Sequence, residues 1–144
     1  MNKKFTTAPL PFQGQKRNFV RQFKEALKEY PSNAIYIDLF GGSGLLSHTV
    51  KTVYPEATVI YNDFDNFKKR LAVIPETNII LTELRALLSD YPRGQRVIGK
   101  HRERLLKLIK SKDNAGYIDF ITISSSVLFS MNYVQNFEEF EKQT

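Results

Sequence analysis

The stretch Ala34-Ile35-Tyr36-Ile37-Asp38-Leu39-Phe40-Gly41-Gly42-Ser43-Gly44 decides the fold. Ala34–Leu39 is short, apolar and rich in β-formers, and it runs directly into a cluster of three glycines that cannot continue a strand. Leu45–Tyr54 then reads as a helix up to Pro55. Ala57–Tyr61 is a second short strand, and it ends in the polar tip Asn62-Asp63-Phe64-Asp65. The order strand, glycine turn, helix, strand predicts an α/β fold that opens in a Rossmann-like way.

Working outward from this centre, Gly14–Tyr30 carries Phe19, Val20, Phe23, Ala26, Leu27 and Tyr30 at helical spacing, and Pro31 stops it. Beyond Pro75 the pattern becomes helical. Thr77–Tyr91 aligns Ile80, Leu84, Leu87, Leu88 and Tyr91, and Val97–Lys112 aligns Ile98, Leu105, Leu108 and Ile109. Tyr117–Val134 is ambiguous because Ile121-Thr122-Ile123 favours a strand, but its stripe through Val127, Leu128, Met131 and Val134 is read as a helix. Asn136 followed by Glu139 resembles a capping box, so a last helix begins at Phe137. The division is therefore residues 1–74, an α/β part, and residues 75–144, a mostly helical part. Two strands do not make a stable open parallel sheet, so the sheet is expected to be incomplete, its other strands coming from a continuation of the chain or from a partner chain.

With 144 residues, 42% of them hydrophobic and 25% charged, the chain has the composition of a globular domain rather than a disordered or fibrous one. The absence of cysteine excludes disulfides, thiolate metal sites and a cysteine nucleophile. The two histidines, His48 and His101, are read as surface or packing residues, and Ser124-Ser125-Ser126 lacks the turn that exposes a nucleophilic serine. MNKKFTTAPLPF has no apolar core behind its lysines, and no apolar run approaches the length of a membrane span, so a cytoplasmic protein with no membrane role is expected. The net charge is +6, but Arg85–Lys112 alone holds nine basic residues against Asp90 and Glu103, a local +7. Arg96, Lys100, Arg104 and Lys107, spaced by four, four and three, would line one helix flank and could follow a phosphate backbone. On charge alone, the same residues equally suit a solvated helix face.

The glycine loop carries the most specific chemistry. Glycines at a strand-to-helix turn let backbone approach a ligand, and the helix start offers N–H donors. Asp63, 19 residues after Gly44, stands where a carboxylate would grip a ribose diol with two hydrogen bonds. These features point to a nucleoside-containing cofactor. A nicotinamide dinucleotide fingerprint would place its third glycine where Ser47 stands, and no Gly-Lys-Ser/Thr follows to make a P-loop. Ahead of the first strand, Pro11-Phe12-Gln13-Gly14-Gln15-Lys16-Arg17 can bring an aromatic ring and a lysine over the same loop.

The succession P-F-x-G-x-K-R, D-L-F-G-G-S-G and N-D resembles the D12 class of DNA N6-adenine methyltransferases, the Dam-like family that uses S-adenosylmethionine. The resemblance runs over about residues 9–70. It implies that Phe12 and Lys16 border the methionine end of the cofactor, that Asp38, Phe40, Gly42 and Gly44 cradle it, and that Asp63 holds the ribose. Gln15 stands where the family usually has a second glycine. The family's catalytic tetrad, Asp/Asn-Pro-Pro-Tyr/Phe, is absent, since all six prolines are isolated. By motif order the basic helical region falls where target recognition begins. The resemblance thus implies an N-terminal, cofactor-binding part of an enzyme acting on double-stranded DNA, predicted inactive without the missing catalytic part. A non-catalytic nucleic-acid-binding remnant and an NAD-type oxidoreductase fragment are the alternatives.

Overall fold

The computed structural model describes residues 7–12, 14, 16–128 and 133–144. Gln15 and Met131, which entered the reading of the sequence, lie outside the described residues. The chain divides into two compact units, Met1–Lys68 and Lys69–Thr144.

In the first unit a single 3-10 turn, Lys16–Phe19, leads into α1, Val20–Leu27. The predicted helix is trimmed at both ends. Gly14 has φ +72, outside helical geometry, and Lys28, Glu29 and Tyr30 bond back three residues rather than four, unwinding the chain before Pro31. β1, Ile35–Asp38, is joined through the glycine loop to α2, Leu45–Val53, and then to β2, Thr58–Tyr61. β1 and β2 pair in parallel, with Ile37 beside Ile60 and Asp38 beside Tyr61. One face of this sheet is packed. Leu27, Val50 and Ala57 form a small core with Phe23, Tyr36, Val53, Tyr54 and Val59 against it. The side chains of Tyr54 and Tyr36 stack, and their hydroxyls donate to the carbonyls of Leu27 and Pro31, each at 2.8 Å. The other face is bare: Ile35, Ile37 and Ile60 are 65%, 61% and 51% exposed. The alternation along both strands, with Tyr36 and Val59 packed and Ile35, Ile37 and Ile60 exposed, is the two-residue period of a strand with one covered face.

α3, Phe67–Ala72, was not foreseen from the sequence. Its six residues are too few for a periodicity signal, and its start is made by a side chain described below. The second unit is helical: α4, Ile74–Leu87; α5, Gly99–Ala115; α6, Phe120–Val127; and α7, Phe137–Gln143. Ile80, Leu81 and Leu84 of α4 meet Leu105, Leu106 and Ile109 of α5 in one core completed by Ile118, Phe120, Ile123 and Phe140. Pro75 does not end a segment but sits in the first turn of α4, where its missing N–H costs nothing. Val97 is buried in the core but precedes α5. α6 is half the predicted length. Asp119 opens it by accepting from the Thr122 N–H, and the β-like Ile121-Thr122-Ile123 run is helical because Ile123 is driven into the core. The predicted cap of α7 is present, since Asn136 accepts from the Glu139 N–H, while Glu139 reaches back to the Gln135 N–H.

Arg70 explains why the boundary between units falls within α3. Its guanidinium is buried against Asp119 at 2.8 Å and also donates to Thr122. Within α3, Arg70 thus belongs with the second unit. Among the described residues, no helix is long and apolar enough to cross a membrane.

The helices and the two-stranded parallel sheet are compatible with a methyltransferase-like α/β fold.

Candidate functional site

The C-terminal ends of β1 and β2 carry the candidate residues of the first unit. Gly42 and Gly44 have φ +51 and +70, the left-handed region that a β-carbon penalises. Gly44 is the cap position of α2 and brings no side chain to it, so the helix start is left uncapped by any side chain. Asp38 ends β1 and turns its carboxylate to α2, where Oδ2 accepts from the Ser47 hydroxyl at 2.7 Å. Asn62 secures the other strand end. Its N–H donates to the Asp38 carbonyl and its Nδ2 to that of Leu39, both at 3.0 Å.

The N-terminal motif reaches this loop, as its sequence implied. The ring of Phe12 lies 3.0 Å from where a β-carbon on Gly42 would be, and it meets the Phe67 ring edge-on at a centroid distance of 5.8 Å. Lys16 donates through Nζ to the Phe40 carbonyl. The Phe40 ring itself is exposed, as is that of Phe64 on the β2 side.

Asp63 already has partners within the protein. Its Oδ1 accepts from the Phe67 N–H at 2.6 Å and from the Tyr61 hydroxyl at 3.1 Å, and its Oδ2 accepts from the Lys68 N–H at 3.0 Å. Asp63 therefore nucleates α3 by satisfying its first two amides. A carboxylate offers about four acceptor positions; the two amides take two and a third is shared with the Tyr61 hydroxyl, so one stays open to a ligand hydroxyl throughout.

Two residues here were missed by sequence reasoning. Tyr61 donates to the Gly42 carbonyl at 2.6 Å as well as contacting Asp63. Burial, followed by the Asp63 hydrogen bond and the charges of Asp63, Asp38 and Asp65, pushes its phenol up from the ordinary value of 10.0, so it stays a donor at neutral pH. Gly41 is the second. A β-carbon there would lie 2.1 Å from the Tyr61 ring and 2.7 Å from the Asn62 carbonyl. The doubled glycine was visible in the sequence, but which ring it faces depends on strand register.

In the second unit the structure brings Lys100, Arg104 and Lys107 together on α5, exposed and on the side opposite to the buried Leu105 and Ile109. Arg96 is not on that flank. It precedes α5, because the helix begins only at Gly99, and its Nε donates to the Thr144 carbonyl at 2.8 Å. Arg102 and Lys112 are also committed, to the Glu141 carbonyl and to the Glu83 carboxylate. His101 packs on Tyr91 and lies 3.4 Å from Asp90, and the Ser124 hydroxyl accepts from the Val134 N–H. Among the described residues there is no cluster of His, Asp and Glu able to hold a metal ion.

Comparison with known proteins supplies the family. The model of the D12 class N6 adenine-specific DNA methyltransferases matches residues 12–143. The chain belongs to this family. A Haemophilus influenzae protein named "Putative methyltransferase" is 40% identical over 146 residues, an alignment covering 95% of this chain and 48% of that protein. The chain thus spans about half the length of the curated relative it matches. No solved structure matches it significantly. The family match extends through α7, well past the three motifs near the N-terminus.

Proposed function

We propose that this chain is the cofactor-binding part of a DNA adenine N6-methyltransferase, binding S-adenosylmethionine in a Rossmann-like half-site and acting on double-stranded DNA once completed by the catalytic part. One observation carries the reading. Phe12, Gly42 and Asp63, one from each of three separated motifs, are joined at the strand ends into one connected set by Tyr61 and Phe67. The donor set fits the cofactor: the start of α2 can face a carboxylate, and Asp63 keeps one acceptor position for a ribose hydroxyl. Lys16, Asp38, Phe40 and Gly44 complete the cradle. When bound, the cofactor would supply the methyl group that an extruded adenine amino group accepts. This chain's share is orientation, since it encodes no Asp/Asn-Pro-Pro-Tyr/Phe acceptor for that amino group. The bare face of Ile35, Ile37 and Ile60, together with the half-length alignment, supports completion by further layers from a continuation or a partner chain.

Calorimetric titration with S-adenosylmethionine, S-adenosylhomocysteine and NAD tests the reading. Binding of the first two and not the third is expected. No binding would favour the nucleic-acid-binding remnant, and NAD binding the oxidoreductase. Tritiated-methyl transfer to adenine-containing duplex DNA by the chain alone is expected to stay at the no-protein level.

A further inference from the structure

Tyr61 touches both halves of the candidate site. Its ring is the surface against which Gly41 must remain a glycine, and its hydroxyl lies within hydrogen-bond distance of the Gly42 carbonyl and of Asp63 Oδ1. A phenol has one proton, so it serves one acceptor fully at a time. The shorter contact, 2.6 Å, goes to the glycine loop, and the longer, 3.1 Å, to the acid.

We propose that Tyr61 is a positioning residue that couples the glycine loop to the ribose-facing acid through this shared hydroxyl proton. The inference rests on the cofactor reading above. In the free protein the proton is divided between carbonyl and carboxylate. A ligand hydroxyl that donates to the remaining acceptor position of Asp63 lowers the carboxylate's demand, and the Tyr61 proton then settles on the Gly42 carbonyl. Binding at the acid thereby tightens the loop that holds the rest of the ligand, with no covalent step.

The test uses Tyr61→Phe, which keeps the ring against Gly41 and removes only the hydroxyl. S-adenosylhomocysteine and its 2′-deoxy counterpart are titrated into wild type and variant, and amide exchange is followed over residues 41–45 and at Phe67 and Lys68. Wild type should prefer the diol ligand, and the variant should lose about threefold to tenfold in affinity for it, with a smaller preference over the deoxy form. Exchange at Gly42–Gly44 should quicken even without ligand. A merely structural role would weaken both ligands equally and leave the preference intact, which overturns the proposal, as does unchanged affinity or unchanged loop exchange. Failure of wild type to bind either ligand is a different result, and it overturns the cofactor reading together with this inference.

Discussion

A β-carbon on Gly41 would sit 2.1 Å from the ring of Tyr61, so the first glycine of the loop is fixed by a side chain on the neighbouring strand. Gly41→Ala should therefore displace the Tyr61 ring or the loop and cost about 1–3 kcal/mol, the range for overpacking. Gly94 faces open space at φ +76, so alanine there carries backbone strain but no clash. Urea unfolding of the two variants checks this. A midpoint for Gly41→Ala no lower than that for Gly94→Ala would contradict the clash.

Asp63 holds two amides of α3 and has one acceptor position left, so its removal should register in two measurements. Asp63→Ala loses a helix cap, about 0.5–2 kcal/mol of stability, and a charge-assisted contact to a ribose hydroxyl, about 1.5–3 kcal/mol or roughly tenfold and more in affinity. Asp63→Asn retains a cap oxygen without the charge. It should recover more of the stability than of the affinity for S-adenosylhomocysteine. Equal affinity of wild type and Asp63→Ala would remove the ribose role and leave Asp63 as a helix cap.

The buried pair of Arg70 and Asp119 makes the opposite prediction, one of stability without binding. Both side chains are at most 2% exposed, so truncating one strands the other's charge. Arg70→Met should cost about 3–5 kcal/mol. Asp119 also caps α6 through the Thr122 N–H and accepts from the Thr122 hydroxyl at 2.5 Å. Adding Asp119→Asn to Arg70→Met removes the stranded charge while keeping a capping oxygen, so the double variant should be more stable than Arg70→Met alone. Denaturant midpoints that fall additively would show that the charge is not what makes the single change costly.

The local elements near the glycine loop were legible because their signals are local: a β-rich run, left-handed glycines and a helix that stops before Pro55. The link from Phe12 to Gly42 was legible only through motif order. Tyr61 and Gly41 were not, because their relation depends on the pairing of Asp38 with Tyr61 across the sheet. The helical reading of 117–134 erred at its margins because periodicity cannot tell an eight-residue helix from core residues that flank it in the sequence. Ile118 and Val134 are both core residues without being helical. Arg96 lies off the helix for a related reason: its spacing matched the stripe, but α5 starts only at Gly99.

The basic stripe can now be tested with three residues rather than four. Lys100, Arg104 and Lys107 are exposed on α5 and make no hydrogen bond or ion pair among the described residues, whereas Arg96 is tied to the Thr144 carbonyl. If the stripe follows a DNA backbone, binding to a duplex should be weak, indifferent to sequence and salt-sensitive. Three phosphate contacts imply a log–log salt slope of about −2.7. Changing all three to glutamine should flatten the slope towards zero, and Arg96→Gln should leave it nearly unchanged. Fluorescence anisotropy over a salt series separates the outcomes. Absence of binding even at low salt would make the stripe a solvated helix face, and an equal loss of slope from Arg96→Gln would return that residue to the contact surface.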